Sequence, residues 1–314
     1  PEDLAQGLTN LSTYHYVAGH LDSSLALARE AYERYGEAGY PESQEFGVAL
    51  NQLGLVLFAI GRAPEAEPYM ARAVALRRKL FGADAVAAIG LNNLGLIRDA
   101  QGDIDGAIAR FREADEIFLG SPQREYFERG IVLANLAGEM LLKGELAEAE
   151  RTAREGVGVY QRTVGPDHPN LGITLLRLAQ IELASGRPRD ALATHRSAVQ
   201  RFRQFGPTHP DVARSQSYGA EILLALGRLD QAEQSVRLAL ETRRAVYATT
   251  DWRIAETERV LGRVLAARGK TAEAREYLRR ARDNFQATMG PDDPRTRAAA
   301  GDLDALPGGA DPAS

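Results

Sequence analysis

Apolar residues fall three and four places apart along this chain, as at Leu53, Leu57 and Ile60 or Leu175, Leu178 and Ile181, with charged and amide residues between them. That spacing lines one stripe of an α-helix, so helices are predicted. Each helical stretch stops at a glycine, a few mostly polar residues follow, and a new stretch opens. The stopping glycines are Gly19, Gly61, Gly102, Gly144, Gly186, Gly227 and Gly269, spaced by 42, 41, 42, 42, 41 and 42 residues. A period this regular means a repeated supersecondary unit, so the fold is read from the repeat rather than from single helices.

Other positions keep the same register. Eight residues before the turn glycine stand Leu11, Leu53, Leu94, Leu136, Leu178, Gly219 and Leu261; five after it come Ser24, Ala66, Ala107, Ala149, Ala191, Ala232 and Ala274. The small residues let two helices approach closely, and the leucines enter that space with one gap, at Gly219. Glycine takes the left-handed conformation at a helix end without strain, so each repeated glycine is expected to reverse a helix A into a helix B. Gly165-Pro166-Asp167-His168-Pro169, Gly206-Pro207-Thr208-His209-Pro210 and Gly290-Pro291-Asp292-Asp293-Pro294 form a second mark. There the glycine is expected to stop helix B, and the later proline suits the first turn of the next helix A. The prediction is an all-α stack of seven hairpins over residues 1–306. A lone capping helix at about 294–306 closes it, with Leu303 placed 42 residues after Leu261, and 307–314 form a disordered tail.

These positions resemble the tetratricopeptide repeat: Leu53-Gly54, Leu94-Gly95 and Leu261-Gly262 in mid helix A, the turn glycine, an early alanine in helix B, and a bulky residue such as Phe111. The longer period, the G-P-x-H-P junction and Leu91-Asn92-Asn93-Leu94-Gly95 are similar to the kinesin-light-chain variety. The resemblance implies a right-handed superhelical solenoid whose helix A faces line a concave groove that holds protein or peptide. It also implies a bacterial multidomain setting, as the arm beside a serine/threonine kinase, a nucleotide switch or a transcription regulator. Three lysines against abundant arginine agree with a GC-rich bacterial genome.

The formal charge of −5, spread without a basic block, argues against a nucleic-acid or anionic-membrane surface. With no cysteine, thiolate metal sites and a cysteine nucleophile are excluded. No apolar run reaches the roughly 20 residues that span a bilayer, and no signal segment opens the chain, so a cytoplasmic location is expected.

Nine residues before the turn glycines, Asn10, Gln52, Asn93, Asn135, Arg177 and Tyr218 are expected to point into the groove, flanked by Asn51, Asn92 and Arg259; six before come Gln180, Glu221 and Arg263. Carboxamides both donate and accept, so the early set suits the main chain of an extended peptide. The competing reading is that these amides bond to neighbouring helices and hold the stack together. Later in the chain, Arg177, Arg214, Arg259 and Arg263 suit an acidic segment through bidentate guanidinium contacts, unless they are ordinary solvated arginines. A scaffold that associates through its ends or convex faces is the alternative; Leu4, Leu8 and Leu11 lie on a first helix with nothing to pack upon, so either further repeats are expected before Pro1 or the segment is expected to associate through its first repeat.

Catalytic chemistry finds no constellation. His168 and His209 are repeat equivalents that read as caps, His195 falls on the bulky core position of a helix B, and His15 and His20 flank the first turn without zinc-motif spacing. No phosphate-cradling glycine motif opens a helix after a strand. Gly156-Val157-Gly158, inside a helix B, points to a local weak point or to close packing. The expectation is a non-catalytic binding module without cofactor or metal.

Overall fold

The computed structural model describes residues 2–37, 39, 42–121, 126–203 and 205–307. Among them the chain is all α-helical: α1 (Glu2–Val17), α2 (Leu21–Glu37), α3 (Gln44–Ala59), α4 (Ala63–Phe81), α5 (Ala85–Ala100), α6 (Ile104–Gly120), α7 (Glu128–Leu142), α8 (Leu146–Thr163), α9 (Pro169–Ala184), α10 (Pro188–Arg201), α11 (Pro210–Ala225), α12 (Leu229–Val246), α13 (Trp252–Ala267), α14 (Thr271–Met289) and α15 (Pro294–Asp304). The described helices fall into two compact units. Pro1–Arg124 holds α1 to α6 and Glu125–Ser314 holds α7 to α15. In each unit an odd-numbered helix A pairs with the following helix B, and each hairpin packs on the next.

All seven turn glycines carry positive φ, between 72° and 80°, so the reversal from helix A to helix B repeats with one backbone geometry. Helix starts follow their capping residues. The Ser43 hydroxyl accepts from the Phe46 amide at 3.1 Å, and Asp84 accepts from Ala87 at 2.9 Å. His168 and His209 act alike as caps: each Nδ1 accepts a backbone amide at 3.2 Å, from Asn170 and Asp211. Pro169, Pro210 and Pro294 occupy first turns, as the junctions predicted.

Gly206 departs from its expected role. α10 stops at Arg201, five residues earlier, because Phe202 turns inward onto Leu176, Ala198 and Tyr218. The helix therefore ends at an apolar anchor, and Gly206 is not among the positive-φ glycines.

The core is built by bulky side chains of helix B entering notches in helix A. A methyl group at Gly95 would lie 2.5 Å from the Phe111 ring, and one at Gly262 would lie 2.6 Å from Leu278. The gap at Gly219 is filled the same way, since a methyl there would meet the His195 ring at 2.8 Å. Gly156 is a point of close packing: a methyl there would stand 3.0 Å from the Gly130 carbonyl and 3.1 Å from Thr174. At the far end of the second unit, Leu303 and Leu306 bury against a cluster containing Leu261, Leu265 and Leu278, so α15 closes the last hairpin. The expected tail over 307–314 lies, Pro307 apart, outside the described residues.

Candidate binding faces on the A helices

In the first unit, α3 and α5 stand apart over the second half of α4 and leave an apolar recess of ≈ 150 Å³, lined among others by Val48, Asn51, Leu80, Phe81, Val86 and Ile89. Phe81 is half exposed, and the Arg77 guanidinium lies 4.0 Å from its ring centre while pairing with Asp84. A smaller recess between α1 and α3 is lined by Gln6, Thr9, Asn10, Gln44 and Val48.

The expected amide ladder divides. Asn10 and Asn51 border these recesses, and Asn93 is half-buried. Gln52 and Asn92 are buried. Gln52 turns into the stack: its Nε2 donates to the Ser12 hydroxyl at 3.2 Å, and Ser12 is paired with Ser24. It ties α3 to the first hairpin, which is the competing reading realised at this position. The two helices align residue for residue by their turn glycines, but the register nine before the glycine sits at the edge between groove and stack. A small rotation of the helix decides which of two neighbouring amides is buried.

In the second unit, α7, α9 and α11 bring Asn135, Ile173, Arg177, Gln180, Arg214 and Tyr218 around one shallow cleft. The Arg177 Nη1 donates to the Gln180 Oε1 at 2.9 Å, and its guanidinium lies over Gly138, where a methyl would stand 2.5 Å from Cζ. Among the described residues Arg177 forms no ion pair. Arg214 is held by Asp211 at 2.5 Å. The Tyr218 hydroxyl donates to Glu256 at 3.5 Å, and burial, with the Glu256 charge, pushes its pKa up. Glu256 in turn accepts from buried Arg243 at 2.9 Å.

Arg259 and Arg263 lie elsewhere. Arg259 pairs with Asp302 of α15 at 2.5 Å, and Arg263 pairs with Glu221 at 3.2 Å and lies 3.8 Å from Asp302. Burial pushes the Glu221 carboxyl up, against the pull of Arg263 and Arg259. These arginines are therefore compensated from within the chain, and they fasten α15 to α13.

Val48, Ile89 and Ile173 escaped the sequence reading. They stand 13 residues before their turn glycines, one helical turn upstream of the amide register, and the i−4 neighbour of each expected groove residue would have found them. His195 is a packed core group. Its Nε2 lies 2.9 Å from the Ser215 carbonyl oxygen and 3.2 Å from the Ser215 hydroxyl, and burial pushes its pKa down. Among the described residues no three histidine, aspartate or glutamate side chains gather as metal ligands, and no helix is long and apolar enough to cross a membrane.

Notched helical hairpins, a left-handed glycine in every turn and open recesses on the A helices define a tetratricopeptide-type protein-interaction scaffold of the kinesin-light-chain-like variety. The chain belongs to the MalT-like TPR region family, whose model matches residues 112–298, and a second model, described as tetratricopeptide repeat, matches residues 45–119. Protein KINESIN LIGHT CHAIN-RELATED 2 of Arabidopsis thaliana is 26% identical over 189 residues, 60% of this chain and 28% of that protein. Regulatory protein AfsR of Streptomyces griseus is 28% identical over 253 residues, 79% of this chain and 23% of that protein. The chain thus spans less than a third of these curated relatives. Among solved structures, the Rap conjugation gene regulator of the plasmid pLS20, in complex with the Phr* peptide, shares the fold with a TM-score of 0.68 at 17% identity, covering 88% of this chain and 72% of that one.

Proposed function

We propose that this chain is a non-catalytic docking arm that holds an extended, partly acidic peptide segment on its A helices, within a larger regulatory protein. The observation that carries the reading is Arg177, a cation with no ion-pair partner among the described residues, set beside the amides of Asn135 and Gln180 and the hydroxyl of Tyr218. A guanidinium beside two side-chain amides, with the Tyr218 hydroxyl already given to Glu256, suits a carboxylate, which would replace Gln180 as its acceptor. In the first unit the α3–α5 recess offers apolar surface beside Asn51, so an aliphatic or aromatic side chain would be taken there. The regulatory setting rests on the likeness to part of Regulatory protein AfsR, and on the Rap regulator of shared fold, whose structure holds a peptide.

A panel of labelled ten-residue peptides, matched except for Asp/Asn and Glu/Gln exchanges, tests the reading by fluorescence anisotropy. The acidic members are expected to bind tightest, and Arg177→Gln should weaken them about tenfold while sparing the amide members. An Arg259→Gln/Arg263→Gln double variant should leave binding unchanged, because those charges are already answered by Asp302 and Glu221. Equal binding of acidic and amide peptides, or indifference to Arg177→Gln, would sink the carboxylate assignment. A scaffold working through its ends would instead show no peptide binding and a change in assembly when end residues are altered.

A further inference from the structure

The hairpins share a ring register that is broken in the second of them. Sixteen residues after the turn glycine stand Tyr35, Phe118, Tyr160, Phe202 and Phe285, all buried, but Arg77 in the second hairpin and Arg243 in the sixth. Fourteen before the turn glycine, on helix A, every residue is alanine or glycine, from Ala5 and Gly47 to Ala255. Ring and small residue interlock. A methyl at Gly130 would run into the Tyr160 ring, one at Gly172 would stand 2.8 Å from Phe202, and Phe285 packs in one cluster with Ala255. In the sixth hairpin Arg243 takes the place of the ring: it is buried, and its guanidinium donates to Glu256 at 2.9 Å and Thr257 at 2.8 Å.

Arg77 does not fill its place. Its guanidinium turns away, lies 4.0 Å from the ring centre of Phe81 and donates to Asp84 through Nε at 3.0 Å and Nη2 at 2.5 Å. A methyl at Gly47 would meet nothing within 4 Å but the Leu76 side chain, at 3.5 and 3.9 Å. The apolar recess between α3 and α5 is the room this leaves, since Gly47 and Arg77 both line it. Its ≈ 150 Å³ is the size of a benzene site, an apolar cavity of about 150 Å³ being enough to hold that ring. Arg77 is the single charged residue among those lining it, and Asp84 answers that charge, so the recess suits an uncharged guest. Asn51 at the rim offers an amide to the main chain that carries the guest.

We propose that this recess takes one phenylalanine ring from a partner segment, which completes the second hairpin as Phe118 completes the third. A flat ring is the guest, not a branched aliphatic group, because the same notch closes on a ring in the hairpins of Tyr35, Phe118, Tyr160, Phe202 and Phe285. The inference rests on the reading that an extended segment lies on the A helices, and it names what that segment carries. The recess and the Arg177 cleft lie in different units and can be tested apart.

Fluorine NMR of N-acetyl-para-fluorophenylalaninamide tests the recess without a peptide. At ~1 mM, a concentration suited to a weak fragment, its signal should broaden when the protein is added. The broadening should vanish with Arg77→Phe, which fills the notch from within, and persist with Arg177→Gln. Arg77→Phe should also raise the urea midpoint, because it buries a ring in a preformed notch and gives up one partly exposed ion pair. Val48→Glu sets a charge at the mouth from a half-exposed position, so it should abolish the broadening at an unchanged midpoint and serves even where Arg77→Phe fails to fold. In ten-residue peptides, exchanging a single phenylalanine for alanine should weaken binding about tenfold or more, and for leucine several-fold. Broadening that survives both variants, or equal binding of the phenylalanine and leucine peptides, overturns the proposal. So does a mass that rises toward two chains without peptide and falls back in Arg77→Phe, since the guest would then be a ring of another copy. A probe that never broadens overturns it whatever the acidic peptides do. Broadening without any binding of acidic peptides would uphold the recess and sink the carboxylate assignment at Arg177 instead.

Discussion

Replacing Gly95 by alanine should destabilise the first unit, although alanine is the better helix former. A methyl group there would stand 2.5, 2.8 and 2.8 Å from three Phe111 ring carbons, against about 3.5–4.0 Å for an unstrained carbon contact. The fully buried ring would have to retreat by roughly 1 Å, and overpacking of that kind costs about 1–3 kcal/mol. The gain from alanine over glycine in a helix is about 0.5–1 kcal/mol. The net expectation is a loss of about 1–2 kcal/mol, read as a lower urea midpoint with an unchanged slope. Phe111→Leu in the Gly95→Ala background should recover part of it, since the shorter side chain vacates the contested space, and the double-mutant cycle should show coupling between the two sites. Gly301 supplies the contrast. It lies inside α15 with nothing within 4 Å of a methyl, so Gly301→Ala should gain about 0.5–1 kcal/mol in the second unit. If Gly95→Ala matched the parent while Gly301→Ala behaved as expected, the notch would not be the close contact described here.

Two further outcomes follow from the polar groups of the second unit. His195 is partly buried, and desolvation pushes its folded-state pKa below the ordinary value of ~6.5, so its contribution to stability is present above that pH. It should be lost as pH falls from ~6.5 toward the lowered value, and His195→Phe, which puts the residue type of Phe111 into the same notch, should flatten that part of the stability profile; equal pH slopes for the two proteins would refute the assignment. Asp302→Asn removes the carboxylate that answers both Arg259 and Arg263, at a pair about a quarter exposed, so a modest loss of about 1 kcal/mol is expected. Faster hydrogen exchange should then be confined to α15 and its contact with α13, and exchange spread evenly through the unit would contradict the clasp.

The repeat was legible because its marks are backbone requirements. A left-handed turn selects glycine, a first turn tolerates proline, and an imidazole can cap, so Gly61, Pro169 and His168 announce their places without knowledge of any neighbour. Side-chain direction was less legible. Gln52 and Asn93 occupy one register, yet Gln52 is buried and bonded to Ser12 while Asn93 is half-buried, because that register lies where the groove face meets the stack. The arginines were harder still: nothing near Arg259 in sequence shows that Asp302, 43 residues on, will neutralise it, whereas among the described residues Arg177 meets the Gln180 amide and forms no ion pair. α10 ended early for a comparable reason, an apolar anchor at Phe202 that the junction pattern does not encode.

The internal compensation of Arg259 and Arg263 has a kinetic consequence for any acidic ligand. With those charges answered and the chain carrying a formal −5, no long-range field gathers a negative peptide from solution. Encounter should then run at an ordinary 10⁵–10⁷ M⁻¹s⁻¹, roughly, and vary little with ionic strength. Right and wrong segments would arrive equally often, and selection would lie in how long each one stays.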